Sequence, residues 1–164
     1  MVIYMNEGMR VISILLEDLK GLFAKDYMTP IKDVIDAETP IWKLIEIASY
    51  TPGRKTFFVA KDGKPIGMIS IYKLFKWILL KTRELKDLMG EIEIEVREAL
   101  GVRAMDFADK LVTVPEDATI VDAMREMVRY NVDVIGIVSS DGEVIGELEC
   151  RMILELALKL ISKS

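Results

Sequence analysis

Few residues in this 164-residue chain could do chemistry, and the missing types decide as much as those present. There is no histidine, which removes Ser–His and Cys–His nucleophiles, histidine acid–base work and histidine metal sites together. A single cysteine, Cys150, can form neither an intrachain disulfide nor a thiolate metal cluster. Asp26 and Asp33 are paired carboxylates of the kind hydrolases use, but no base, nucleophile or metal ligand converges on them. Glu91, Glu93, Glu95 and Glu98 alternate, which scatters carboxylates around a helix and reads as a solvated acidic face rather than a cation site. What remains suits binding. Lys73, with Arg54 and Lys55, has the charge to hold a phosphate, against the plainer reading of a surface lysine at a helix start. Ser70 either offers a hydroxyl to a phosphate or ribose or caps the helix beginning at Ile71. Phe57 and Phe58 either stack on a base or, by strand alternation, send one ring to the core.

Composition narrows the classes further. Apolar residues make up 51% of the chain and charged residues 30%, enough for a core in one compact domain or two small ones. Twenty-two Lys and Arg against 27 Asp and Glu give −5, which argues against a nucleic-acid binder. Met1–Glu7 has no basic n-region and no small-residue cleavage site, and the apolar runs fall short of the roughly 18 residues a bilayer span needs. With one cysteine, a soluble protein of the reducing cytoplasm is expected, without membrane or nucleic-acid partners. The absence of Gln, with Asn6 and Asn131 the sole Asn residues, is a thermophile-like bias, and ten Met pull against it.

The chain repeats itself once. Asp62–Gly63 maps onto Asp141–Gly142, Ile66–Gly67 onto Ile145–Gly146, and Thr39–Pro40–Ile41 onto Ala118–Thr119–Ile120, all at a step of 79. Asp-Gly between apolar runs predicts a hairpin with a primed turn in each copy, over Thr56–Ala60 with Pro65–Ser70 and over Val134–Ser139 with Glu143–Glu149. A helix precedes each hairpin. Thr39 is its expected cap in the first copy, with Pro40 at the first helical position and Ile41, Leu44, Ile45 and Ala48 as the stripe. In the second copy the cap is Thr119 or Asp117, and the stripe is Ile120, Ala123, Met124 and Met127. An apolar helix follows each hairpin, over 72–80 and 151–161, where Phe75, Trp77 and Leu79 fit packing or a dimer surface better than a cofactor stripe. Short strands near Val34–Ile35 and Val112–Val114 complete a β-α-β-β-α order, twice. Outside the repeats, Gly8–Ala24 reads as an amphipathic helix whose stripe of Val11, Ile12, Leu15, Leu16, Leu19 and Phe23 must be covered, and 82–100 as a charged helical linker.

The two units resemble CBS domains paired in a Bateman module. The resemblance rests on Asp26-Tyr27-Met28-Thr29-Pro30, on the Thr39–Pro40 helix start, and on Phe58 to Ser70 through Asp62-Gly63-Lys64-Pro65-Ile66-Gly67. In the second copy it rests on Val114-Pro115-Glu116-Asp117-Ala118-Thr119 and Ile137 to Gly146, while the opening Ala104-Met105-Asp106-Phe107-Ala108 is degenerate. It implies an α+β fold of two repeats packed as a pseudo-twofold pair plus an N-terminal helix, with segments 1–23, 24–81, 82–101 and 102–164. It also implies a cleft between the repeats that takes AMP, ADP, ATP or S-adenosylmethionine as a regulatory ligand, no required cofactor, a homodimer joined through helices, and signalling to a regulated protein. Carried over residue by residue, the ligand positions of the first copy are Thr29, Pro30, Ile31, Ile35, Lys55, Thr56, Phe57, Phe58, Ser70 and Lys73. Those of the second are Ala108, Asp109, Val114, Ile135, Gly136 and Ile137, beside Val112 and Val134. The family's ribose-holding Asp is replaced in both copies, by Lys73 and Met152, and neither side chain can accept hydrogen bonds from a diol.

These features point to a non-catalytic sensor. A ligand-free structural or interaction module is the alternative, favoured by the two missing acids, and a small hydrolase without histidine ranks last.

Overall fold

The computed structural model describes residues 2–31, 33–78 and 101–163, with side chains from Gly8 onward. In chain order the elements are α1 (Val2–Lys20), β1 (Thr29–Pro30), β2 (Ile35–Asp36), α2 (Ile41–Tyr50), β3 (Thr56–Lys61), β4 (Lys64–Ser70) and α3, helical over 71–78. They continue with α4 (Ala104–Phe107), β5 (Asp109–Lys110), β6 (Thr113–Pro115), α5 (Ile120–Tyr130), β7 (Val134–Val138), β8 (Val144–Glu149) and α6 (Cys150–Ile161). The expected linker and its Glu91, Glu93, Glu95 and Glu98 lie outside the described residues. The chain divides into two compact units, Lys32–Leu111 and a unit formed by Met1–Ile31 with Val112–Ser164. Among the described residues no helix is long and apolar enough to cross a membrane.

In the unit Lys32–Leu111 the sheet order is β2-β3-β4-β5, with β2 parallel to β3 and the other pairs antiparallel. Ile41 and Leu44 of α2, Phe57 and Val59 of β3, Ile69 of β4, Leu74 of α3 and Ala104 of α4 form one buried core cluster. Both halves of the Phe pair are buried, Phe57 at 0% and Phe58 at 2% exposure, so strand alternation leaves neither ring open to a ligand. Thr56 and Met68 are buried as well, which shows both faces of this hairpin to be covered. Asp62 (φ 51°) and Gly63 (φ 76°) form the expected two-residue primed turn between the paired Lys61 and Lys64.

The discontinuous unit repeats this plan as β1-β8-β7-β6. Its second hairpin differs from the expectation. Val138 pairs Val144, Ser139 N–H donates to the Glu143 carbonyl at 2.9 Å, and Gly142 alone has positive φ (81°), so one extra residue replaces the primed turn by a longer loop. Thr119 is the α5 cap, its hydroxyl accepting from Asp122 N–H at 3.2 Å. Thr39 is not the α2 cap: Pro40 holds that position without a side-chain bond, and the Ile41 N–H donates to the Val102 carbonyl at 2.9 Å instead.

Each sheet gains an edge strand that the β-α-β-β-α order did not contain. β1 joins β8 through Thr29↔Glu147 and Pro30↔Gly146, and β5 joins β4 through Met68↔Asp109 and Gly67↔Lys110. Thus the compact units cut across the sequence segments: 24–31 packs with the second hairpin and 102–111 with the first. The N-terminal helix also departs from its expected bounds, starting before Gly8 and ending at Lys20. Of its stripe, Leu19 is buried and Leu15 half-buried, while Val11, Ile12, Leu16 and Phe23 are exposed.

A Cβ at Gly67 would stand 2.7 Å from the Ala108 Cβ and 2.8 Å from the Asp109 carbonyl oxygen, whereas one at Gly146 would meet chiefly the Met28 thioether, which can swing aside. Gly67→Ala is therefore expected to cost about 1–3 kcal/mol by forcing β5 off its sheet. Gly146→Ala should cost clearly less, and urea unfolding of both variants checks the order.

Candidate functional site

The expected ligand residues fall into two groups, and the grouping differs from the order of the repeats. Ile35, Lys55, Thr56, Phe57, Phe58, Ser70 and Lys73 lie in the same unit as Ala108 and Asp109. Thr29, Pro30 and Ile31 lie with Val114, Ile135, Gly136 and Ile137. The register of β1 on β8 and of β5 on β4 causes this exchange, since each short strand carries its neighbouring residues onto the sheet it completes. Asp26 and Asp33 fall in different units, and Asp33 accepts from Arg54 at 2.7 Å.

In the unit Lys32–Leu111 the cluster centres on Lys73. Ser70, at the end of β4, accepts from the Lys73 N–H at 3.0 Å and so caps α3. The Lys73 ammonium donates to the Phe107 carbonyl and to the Asp109 carboxylate, both at 2.6 Å, and lies 4.6 Å from the centre of the Phe107 ring. Two donors of this ammonium are engaged and its charge is shared by a carboxylate and an aromatic face. It is thus an engaged lysine rather than a free surface one. Arg54 is likewise engaged, bonded to Asp33 and stacked 4.9 Å from the Phe57 ring. Lys55 is exposed, and its carbonyl accepts from Ile71 N–H at 2.9 Å. Ile35 is buried opposite Val59. Ala108 is half-buried against Gly67.

In the other unit the equivalent place holds a hydroxyl and a thioether instead of an ion pair. Thr29 pairs Glu147 just as Asp109 pairs Met68, and Met152 follows Lys73 at the step of 79. The Thr29 hydroxyl reaches the Met152 sulfur at 3.8 Å, a weak contact that leaves Thr29 exposed. Pro30 is exposed and pairs Gly146, and the Ile31 N–H donates to the Ile145 carbonyl at 3.2 Å. Val114, Ile135, Gly136 and Ile137 are all buried, so they offer backbone edges and packing rather than side-chain donors. Glu147 and Glu149 share one face of β8, with Leu148 buried on the other. The Glu149 side chain is 14% exposed, and the Arg151 guanidinium lies 4.0 Å from it. Phe107, whose segment is degenerate, and Glu149, three residues before the position where an acid is expected, are not among the positions the sequence singles out.

A cleft of about 420 Å³ lies on the same unit, lined by Val114, Pro115, Asp117, Ala118, Asp122, Arg125 and Glu126. It shares Val114 alone with the expected ligand residues. Its best-placed acid is already used: Asp122 accepts from the Thr119 N–H at 3.0 Å and from its hydroxyl at 2.8 Å, closing the α5 cap. Those two bonds hold the Asp122 carboxyl below the ordinary Asp range. No group of residues able to hold a metal ion occurs among the described residues.

The CBS domain family model matches residues 102–159. A search of curated proteins gives no match. Among solved structures, CBSX2 in complex with AMP is 22% identical, with 85% of this chain and 98% of that chain covered and a TM-score of 0.64. The CBS domain of the bacterial CNNM/CorC family Mg2+ transporter in complex with ATP is 17% identical, covers 93% of this chain and 97% of that one, and has a TM-score of 0.65. The CBS domain of a membrane protein from Sphaerobacter thermophilus gives the same three coverage and identity values, with a TM-score of 0.65. These likenesses establish the α+β repeat fold.

Two measurements check this geometry. Lys73→Ala is expected to destabilise more than Asp109→Asn, because it removes the carbonyl bond and the ring contact together, while an ion pair this exposed is worth about 0–1 kcal/mol. Asp122→Ala should cost about 1 kcal/mol at neutral pH through the lost cap. Since the folded Asp122 has the lower pKa, its stabilisation is present above the ordinary value of about 3.9 and is lost as pH falls through the folded one. The wild-type and variant unfolding curves should therefore converge in acid.

Proposed function

The chain carries a CBS domain at residues 102–159 and has the fold of solved CBS-domain structures across most of its length, and from that premise we propose that it is a non-catalytic regulatory module for an adenosine-containing ligand. AMP and ATP, found in complexes of structural neighbours, and S-adenosylmethionine are the candidates. The ligand acts by favouring one arrangement of the protein through differential affinity, and a partner protein reads that arrangement.

The observation that carries this reading is the difference between the two equivalent places. Lys73 is held by Asp109, Phe107 and a ring face. Thr29 and Met152 share one weak contact beside a half-buried carboxylate. The adenosine therefore binds against Thr29, Ile31 and Ile135–Ile137. Glu149 takes over the role of the absent ribose acid, because a carboxylate accepts from both hydroxyls of a diol. A carboxylate at Glu149 also repels phosphate, so each further phosphate weakens binding there.

The Lys73–Asp109 ion pair favours a second reading, a module whose ligand places are filled by its own side chains and which serves in protein interaction. Thermal unfolding with AMP, ADP, ATP, S-adenosylmethionine and NAD separates the two. A ligand at 100 times its Kd adds about 2.7 kcal/mol. The expected result is stabilisation by AMP or S-adenosylmethionine exceeding that by ATP, lost in Glu149→Gln with the ligand-free unfolding temperature unchanged. Absence of a shift with all five supports the interaction module.

A further inference from the structure

Two segments of unlike sequence enter the two units along the same backbone path, and one brings a guanidinium where the other brings a ring. In the unit Lys32–Leu111 the Ile41 N–H donates to the Val102 carbonyl at 2.9 Å, the Ala104 N–H to the Thr39 carbonyl at 2.7 Å, and Arg103 bridges Pro40. In the other unit the Ile120 N–H donates to the Leu22 carbonyl at 2.9 Å, the Ala24 N–H to the Ala118 carbonyl at 2.8 Å, and Phe23 bridges Thr119. Phe23 therefore takes the place of Arg103. The next turn agrees: the Asp106 N–H donates to the Arg103 carbonyl at 3.1 Å, and the Asp26 N–H to the Phe23 carbonyl at 3.2 Å. Asp26 thus stands for Asp106, and the step of 79 sets Asp117 for Glu38.

The first copy shows what this pair of acids holds. Arg103 Nη1 donates to the Glu38 carboxylate at 2.8 Å, while Nε and Nη2 donate to the Asp106 carboxylate at 2.9 and 3.2 Å. Three nitrogens of one plane are used, a fork that a lysine ammonium cannot span. The second copy keeps an acid at both positions but has Phe23, 45% exposed, where the arginine would be. Among the described residues no cation pairs with Asp26 or Asp117. Lys25 lies over the Phe23 ring, 5.9 Å from its centre. Asp117 also lines the 420 Å³ cleft, together with Asp122, Glu126 and Arg125. Arg125 meets Asp122 at 3.3 Å and Glu126 meets Arg129 at 3.5 Å, both long for charged pairs. The cleft's own arginine thus leaves the Asp117 carboxylate without a counter-charge. Asp122 is bound into the α5 cap and contributes charge rather than a ligand atom.

We propose that this cleft binds an alkylguanidinium group, held through Asp117 and Asp26 as Arg103 is held through Glu38 and Asp106. Val114, Pro115 and Ala118 offer the alkyl stem an apolar wall. Because Asp26 is exposed and Asp117 half-buried, binding weakens as salt rises. An arginine side chain of a partner protein and a free guanidinium amine share this chemistry. The site has only Val114 in common with the adenosine residues and does not depend on that reading.

The test follows the amide NMR signals of the full chain during titration with N-acetylarginine amide, agmatine and N-acetyllysine amide. Both guanidinium probes are expected to shift signals over 117–122 and to bind about fivefold or more tighter than the lysine probe. Asp117→Asn should weaken them by a similar factor, and Glu38→Gln, in the other unit, should leave them unchanged. Phe23→Arg supplies the guanidinium from the chain itself, so it should abolish probe binding and raise the unfolding temperature, whereas Phe23→Ala keeps the binding. Tighter N-acetylarginine amide assigns the site to a partner's arginine, and tighter agmatine to a free amine. Circular dichroism verifies that the variants are folded, and Asp117→Asn decides the matter if Phe23→Arg is not. Guanidinium probes that bind no tighter than the lysine probe, or binding that survives Asp117→Asn or a folded Phe23→Arg, overturn the proposal.

Discussion

Each sheet is completed by a strand of two residues that can approach its neighbour because a glycine stands opposite. Gly67 admits Ala108 and Asp109, and Gly146 admits Met28 and Thr29. A side chain at either place occupies space that the incoming segment already fills. The consequences extend along both segments. The α2 N-terminus finds its acceptor in the Val102 carbonyl, and the α5 N-terminus finds its own in Leu22. The same two segments bring Asp109 to Lys73 and Thr29 to Met152. Remove the close approach, and two helix ends lose their backbone acceptors and both candidate sites lose a wall.

The two copies have used this shared frame differently. In one, an ammonium is neutralised by a carboxylate, a carbonyl and a ring, so the place is filled and charged but satisfied. In the other, a hydroxyl touches a thioether and acids line the adjacent face of β8. The two copies thus differ at a few side chains in these places while sharing one strand order. The helices differ too, with Tyr50 and Tyr72 standing where the other copy has Arg129 and Arg151, although Ile41 and Ile120 remain equally buried.

Much of the architecture is legible along the chain because its causes are local. Asp62–Gly63 turns where positive φ is required, and Thr119 caps α5 through Asp122, three residues ahead. The errors share a cause too. Thr39 has the residue type of a cap, yet a carbonyl from residue 102 performs that task. Phe57 and Phe58 alternate as a half-exposed strand would, yet both faces of the hairpin are covered. Asp109 has the chemistry of a ligand residue, but its assignment beside Ile135 rather than Lys73 follows the order of the chain and not the register of β5.

By itself, the sequence determined the duplication at a step of 79, the alternation of helices and hairpins, and the loss of both ribose acids, because turns, caps and apolar periods act between residues a few positions apart. The tertiary structure alone decided which opening segment completes which sheet, and that Lys73 is held by Asp109. Those outcomes depend on strand register between segments tens of residues apart, and a period-two pattern specifies which face a side chain takes but not which partner it meets there.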